Sequence, residues 1–148
     1  VLAVERIRAA VSAARALPRD FVLVARADGV MNGTYGMDEA LARIAAYDAA
    51  GADCLYVPLP PTVADLRQLC AMTDKPVNAL AAGPYTKVKR AEFAAMGVAR
   101  ISLGSALARV THRAIRDAAV AMFGAGDFTP LGQGMPGSEV DAMLARFG

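Results

Sequence analysis

DCLYV, residues 53–57, is a short apolar run closed by prolines at 58, 60 and 61. Two similar runs follow, PVNAL at 76–80 and ARISL at 99–103, and the three start about 23 residues apart. Each gap holds apolar residues at helical spacing. A short run that is apolar without alternation, bounded by turn residues, reads as a strand of a parallel sheet covered on at least one face by helices. Strand–loop–helix units repeated at this length point to a parallel sheet wrapped by helices.

Working upstream, FVLVAR at 21–26 is the first strand of the series. Residues 1–17 read as an amphipathic helix, with Val4, Ile7, Val11 and Ala14 on one face and Pro18 as its stop. A loop with Gly33 and Gly36 follows the first strand, and Asp38 is the expected cap of a helix ending at Gly51. Thr62 and Asp65 have capping-box spacing ahead of Leu66, Leu69 and Cys70. A helix over 87–96 is expected to bury Phe93 and Met96. Gly104 and Ser105 open a long helix with Leu107, Val110, Ala114, Ile115, Ala118 and Met122 on its inner side. A C-terminal extension, 127–148, carries a short helix near 138–146.

Four βα units, from 21, 53, 76 and 99, make half of a (β/α)8 TIM barrel, whose full form takes about 250 residues. Residues 1–148 are therefore expected to be the C-terminal half of one barrel domain. The chain starts with Val1 inside a helical pattern, which fits an upstream half. A doubly wound open sheet would carry Gly-x-Gly-x-x-Gly after its first strand; Gly29, Gly33 and Gly36 lack that spacing.

With 55% hydrophobic residues and a mean hydropathy of +0.34, the chain is rich in core. A net charge of +2 without basic clustering argues against a nucleic-acid surface. No apolar run approaches the roughly 20 residues of a membrane span, and no signal peptide is evident. Cys54 and Cys70 match no zinc or redox spacing and read as reduced thiols of a cytoplasmic protein.

In parallel α/β folds chemistry gathers at the carboxyl ends of strands. Arg26 is the sharpest candidate there, because its planar fork suits a carboxylate or phosphoryl group. A structural ion pair with Asp28 is the competing reading. Arg26 and Asp28 share a face, since strand period is two. Asn78, mid-strand among apolar residues, is either an interior layer residue or a ligand contact. Gly104 and Ser105, at a helix start, suit an anion or form an ordinary N-cap. Lys75, Lys87 and Lys89 are badly placed for Schiff-base chemistry, and His112 has no spaced partner.

FVLVARADG, DEALARIAAYDAAGADCLYVP, PVNALAAGP and MGVARISLGSALAR together resemble the isocitrate lyase and phosphoenolpyruvate mutase superfamily, above all its small phosphonomutase-like members. The resemblance implies a (β/α)8 barrel whose final long helix swaps onto a neighbouring subunit in a dimer or tetramer. It implies carbon–carbon cleavage or rearrangement next to a 2-oxo carboxylate, through an Mg²⁺-stabilised enolate. Arg26 matches the strand arginine that holds the substrate, Asp28 the nearby acid, and Asn78 an asparagine of some lyases. The Mg²⁺ ligands and the gating loop are implied to lie in the N-terminal half, leaving no metal ligand in this chain. Two positions depart from the pattern. Ala27 stands where the family commonly has Thr. Pro58 stands where methylisocitrate lyases have Glu and phosphoenolpyruvate mutases have His, which argues against both activities. A non-catalytic fragment that self-associates or pairs with an N-terminal half, and a phosphate-binding barrel of another family using Gly104 and Ser105, are the alternative readings.

Overall fold

A computed structural model describes residues 2–146. Val1 and the last two residues of the C-terminal extension lie outside the described residues. The chain forms two compact units, residues 1–104 and 105–148.

The first unit is a four-stranded, all-parallel sheet in sequence order, β1 (Val24–Arg26), β2 (Cys54–Tyr56), β3 (Val77–Leu80) and β4 (Val98–Ser102). Helix α1 (Leu2–Arg15) precedes it, and α2 (Met37–Ala49), α3 (Val63–Ala71) and α4 (Arg90–Ala95) connect the strands. Sequential order and parallel pairing are those of half a (β/α)8 barrel rather than of a doubly wound sheet.

Alternation sorts the strand residues cleanly. Ala25, Ala27, Leu55, Val57, Val77 and Ala79 join Ile44, Tyr47, Leu66, Leu69, Phe93 and Met96 in one buried cluster, so this face of the sheet packs on the helices. Full burial of side chains such as Ile44, Leu66 and Leu69 contributes about 1.5–3 kcal/mol each. The residues between them, Arg26, Tyr56, Asn78 and Arg100, necessarily point to the opposite face.

Several boundaries differ from the expected ones for identifiable reasons. The first strand starts at Val24, not Phe21, and Phe21 and Val22 are exposed. The Leu23 backbone N–H donates to the Asp53 carboxylate at 2.8 Å instead of to a neighbouring strand. Asp38 does not cap α2: Gly36 is the N-cap, and Asp38 sits in the first turn, where its charge opposes the helix dipole favourably. The expected helix over 87–96 begins as a 3₁₀ turn, Gly83–Lys87, and α4 starts only at Arg90, where Glu92 accepts the Lys89 backbone N–H at 2.8 Å. The Thr62–Asp65 capping box is present, with both reciprocal bonds made (2.9 and 3.1 Å). Cys54 is buried and Cys70 half-buried, and both are free thiols whose ionisation burial pushes upward.

The second unit holds α5 (Ala106–Ala125), a 3₁₀ turn at Thr129–Gln133 and α6 (Gly137–Leu144). The apolar stripe read as the inner side of α5 is largely exposed, with Leu107, Val110 and Ile115 each about two-thirds accessible. Among the described residues no helix is long and apolar enough to cross a membrane.

Candidate functional site

The open face of the sheet carries one polar row. In register, Arg26 pairs with Tyr56, Tyr56 with Asn78, and Asn78 with Arg100. Residues in register on adjacent strands project to the same side, so four side chains from four strands stand side by side. An irregularity of pairing at Val77/Asn78 brings Arg100, not Ala99, opposite Asn78. Without it Arg100 would face the helices.

Arg26 is half-exposed rather than buried, with its side chain 48% accessible and that of Asp28 43%. The guanidinium lies 4.9 Å over the Tyr56 ring and donates from Nε (3.1 Å) and Nη2 (2.8 Å) to one oxygen, Asp28 Oδ1. The ion pair weighed against a ligand role is therefore present. Three of the five guanidinium N–H groups stay outside it. An exposed pair of this kind contributes little stability.

Asn78 is wholly buried and hydrogen-bonded within the sheet. Its Nδ2 donates to Ser102 Oγ at 3.0 Å, and its Oδ1 accepts from Arg100 Nε at 2.8 Å. Ser102 Oγ in turn donates a hydrogen bond to the Ala79 carbonyl at 3.2 Å. The result is a chain of bonds across β3 and β4 that fixes both the amide and the arginine. Gly104, at φ +54°, takes a turn beyond β4 that other residues adopt only with strain. Ser105 opens the second unit as the N-cap of α5, and its side chain makes no capping bond. The polar row contains neither.

Two loops at the strands' carboxyl ends are braced. After β1, an added Cβ on Gly29 would lie 2.0 Å from the Tyr35 ring, so only glycine fits beneath it. The Arg43 guanidinium caps the other part of this stack, 4.7 Å from the Tyr35 centroid. After β2, Leu59 adopts φ +50°, a strained conformation for a branched residue. Buried Tyr85 holds that loop, its hydroxyl reaching the Pro60 (2.9 Å) and Thr62 (2.8 Å) carbonyls. Desolvation pushes the Tyr85 hydroxyl up to about 12, so it stays a neutral donor.

A wide cavity of about 610 Å³ lies at the other end of the sheet, against Arg15, Pro18, Phe21 and Asp53. There the Arg15–Asp53 pair joins α1 to the start of β2, a structural duty. Asp53 is held below the usual carboxylate range by Arg15 and by the Leu23 N–H. Among the described residues no three His, Cys, Asp or Glu side chains gather as a cation site requires.

The phosphoenolpyruvate phosphomutase family profile matches residues 1–123. The chain belongs to that family. Solved structures of the phosphoenolpyruvate mutase/isocitrate lyase superfamily superpose on it. A lyase/mutase-type protein from Burkholderia cenocepacia J2315 is 38% identical, with a TM-score of 0.90 over 97% of this chain and 51% of its own. A 2,3-dimethylmalate lyase is 27% identical, with a TM-score of 0.75 over 97% of this chain and 50% of its own. Oxaloacetate acetylhydrolase bound to its product oxalate is 27% identical, with a TM-score of 0.74 over 90% and 45%. The chain thus spans about half the length of these relatives, and its α/β architecture is that of a partial TIM barrel. No curated protein matches the chain.

Against the phosphomutase pattern, the two departures fall in different places. Ala27 faces the helices and is buried in their core, away from the polar row. Pro58 follows Tyr56 by two residues and is fully buried at the strand's carboxyl end. Four residues escaped the sequence reading: Tyr56, Leu59, Tyr85 and Arg100. Arg100 did carry a signal, since Arg100 and Ser102 alternate with Ala99 and Ile101 as Arg26 and Asp28 alternate with Ala25 and Ala27.

Proposed function

We propose that this chain is the carboxyl-terminal half of a lyase that cleaves a carbon–carbon bond next to the carbonyl of a small 2-oxo acid. The observation that carries the proposal is the position of Arg26. It ends β1 on the open face of a parallel half-barrel, with its guanidinium half-exposed and three donors uncommitted, in a chain of the phosphomutase family. In a closed barrel that face becomes the interior, and its upper layer meets the substrate.

Arg26 binds the substrate carboxylate through a bidentate contact and neutralises it, exchanging Asp28 for the incoming anion. Asp28 holds the guanidinium until the anion arrives, and the Tyr56 ring supports it from below. Small acids are named for the relatives, which include a 2,3-dimethylmalate lyase and an oxaloacetate acetylhydrolase. Cleavage is favoured over phosphonate rearrangement because Pro58 offers no proton-transfer group at the position read as His in the mutases. Magnesium, implied by the family resemblance, finds no ligand set among the described residues, and no step is derived through it. The exposed apolar stripe of α5 supports a homo-oligomer in which a second copy covers Leu107, Val110 and Ile115.

The test is turnover of oxaloacetate and of alkylated malates by the full-length protein, both barrel halves present, beside an Arg26→Lys variant. Cleavage by the wild type and loss of most of it in a folded Arg26→Lys protein supports the reading. Equal turnover in the two proteins removes Arg26 from the site. An encoding reading frame that supplies no second half makes this chain a non-catalytic partner.

A further inference from the structure

Two guanidiniums flank the polar row, and only Arg26 has a carboxylate at hand. Among the described residues Arg100 makes no ion pair, although six others bridge arginines or lysine to acids. Its one bond runs from Nε to Asn78 Oδ1, which leaves both terminal nitrogens without a protein partner. The amide that holds it is fully buried in an apolar strand and locked from behind by Ser102. A buried amide in such a strand asks for an explanation. Its effect here is to tether a guanidinium by the root and leave the fork free, the arrangement that suits a planar anion. Arg100 lies three strand spacings from Arg26, about 14 Å along the sheet before curvature brings the two side chains inward.

We infer that Arg100 is a specificity-determining residue, and that it selects substrates with a second anionic group, the 2-oxo dicarboxylates, over 2-oxo monocarboxylates. Asn78 is its positioning residue and acts only through it. Arg26 takes the carboxylate beside the carbonyl, and Arg100 takes the distal one. This rests on the reading of the open face as the substrate site.

Binding, rather than turnover, tests it. The dianionic probe is 3,3-difluorooxaloacetate, an inhibitor of one of the structural relatives, and the monoanionic probe is pyruvate. Both are titrated by calorimetry into the full-length protein with magnesium present. Arg100→Gln is expected to weaken the dianion at least tenfold and to leave pyruvate within twofold. Arg100→Lys keeps the charge and loses the fork, and gives a smaller loss confined to the dianion. Asn78→Ala weakens the dianion alone and adds nothing to Arg100→Gln, as coupled residues should. Unchanged dianion affinity in Arg100→Gln overturns the inference. So does equal weakening of both probes with a lowered Tm, which would make Arg100 the counter-ion of a carboxylate elsewhere in the barrel. A wild type that binds neither probe refutes the substrate site itself, and the inference falls with it.

Discussion

Replacing Gly29 by alanine puts the loop after β1 under a test whose size can be worked out in advance. The added methyl would stand 2.0, 2.2 and 2.3 Å from three atoms of the Tyr35 ring. Carbon atoms rest about 3.5–4.0 Å apart, so the ring has to retreat by roughly 1.5 Å. It cannot do so freely, because Arg43 covers it and itself pairs with Glu39 on α2. The loop is also pinned from within: the Gly29 carbonyl accepts the Thr34 N–H at 2.8 Å, and that of Asp28 accepts the Asn32 N–H at 3.1 Å. Overpacking against a wall of this kind costs about 1–3 kcal/mol. Urea denaturation followed by circular dichroism reads the loss as a lowered midpoint at unchanged slope. Tyr35→Ala removes the wall, so the double variant should be no less stable than Tyr35→Ala alone. A Gly29→Ala protein within 0.5 kcal/mol of wild type, or strict additivity in the double variant, would refute the contact.

Other expectations follow from the same geometry. Tyr85→Phe leaves the Pro60 and Thr62 carbonyls without their donor and should lower stability by about 1–2 kcal/mol in the same assay. The folded Tyr85 hydroxyl titrates near 12, above its unfolded value near 10, so the unfolded chain loses its proton first. Stability should therefore fall as pH rises from about 10 towards 12, and Tyr85→Phe should flatten that fall. Lys75 and Thr73 hold Asp48 below the ordinary carboxylate range, which stabilises the fold above the unfolded value near 4. That contribution should disappear as pH drops through the folded value, and Asp48→Asn should show a shallower acid dependence in thermal melts at pH 5 to 2. Leu66→Ala, at a fully buried site on α3, should lose about 2–5 kcal/mol by denaturation.

What could be read in advance followed the strength of local signals. The strand runs at 53, 76 and 99 sit within a residue of the observed strands, because each is apolar and cut off by turn residues. Thr62 and Asp65 formed their reciprocal cap because both partners lie within one turn. Phe21 and Val22 look like strand residues, yet Asp53, thirty residues away, takes the Leu23 N–H that would have continued the ladder. No local pattern encodes that bond. Arg26 was legible as a charge at a strand's end, but its exposure and its lean on Tyr56 depend on the neighbouring strand. Arg100 faces the row only through the irregular pairing of β3 with β4, a register effect that a single segment does not show. The stripe on α5 was correctly apolar, while its burial depended on a partner surface that the stripe alone does not specify.

The proposed function requires the open sheet face with Arg26 at its edge to receive the substrate. A crystal structure of the full-length protein with oxalate, the product found in one relative, addresses it most directly. The expected result is the Arg26 guanidinium turned from Asp28 to the oxalate, with N–H···O distances of about 2.7–2.9 Å. Oxalate bound away from this face, with Arg26 still closed on Asp28, would contradict it.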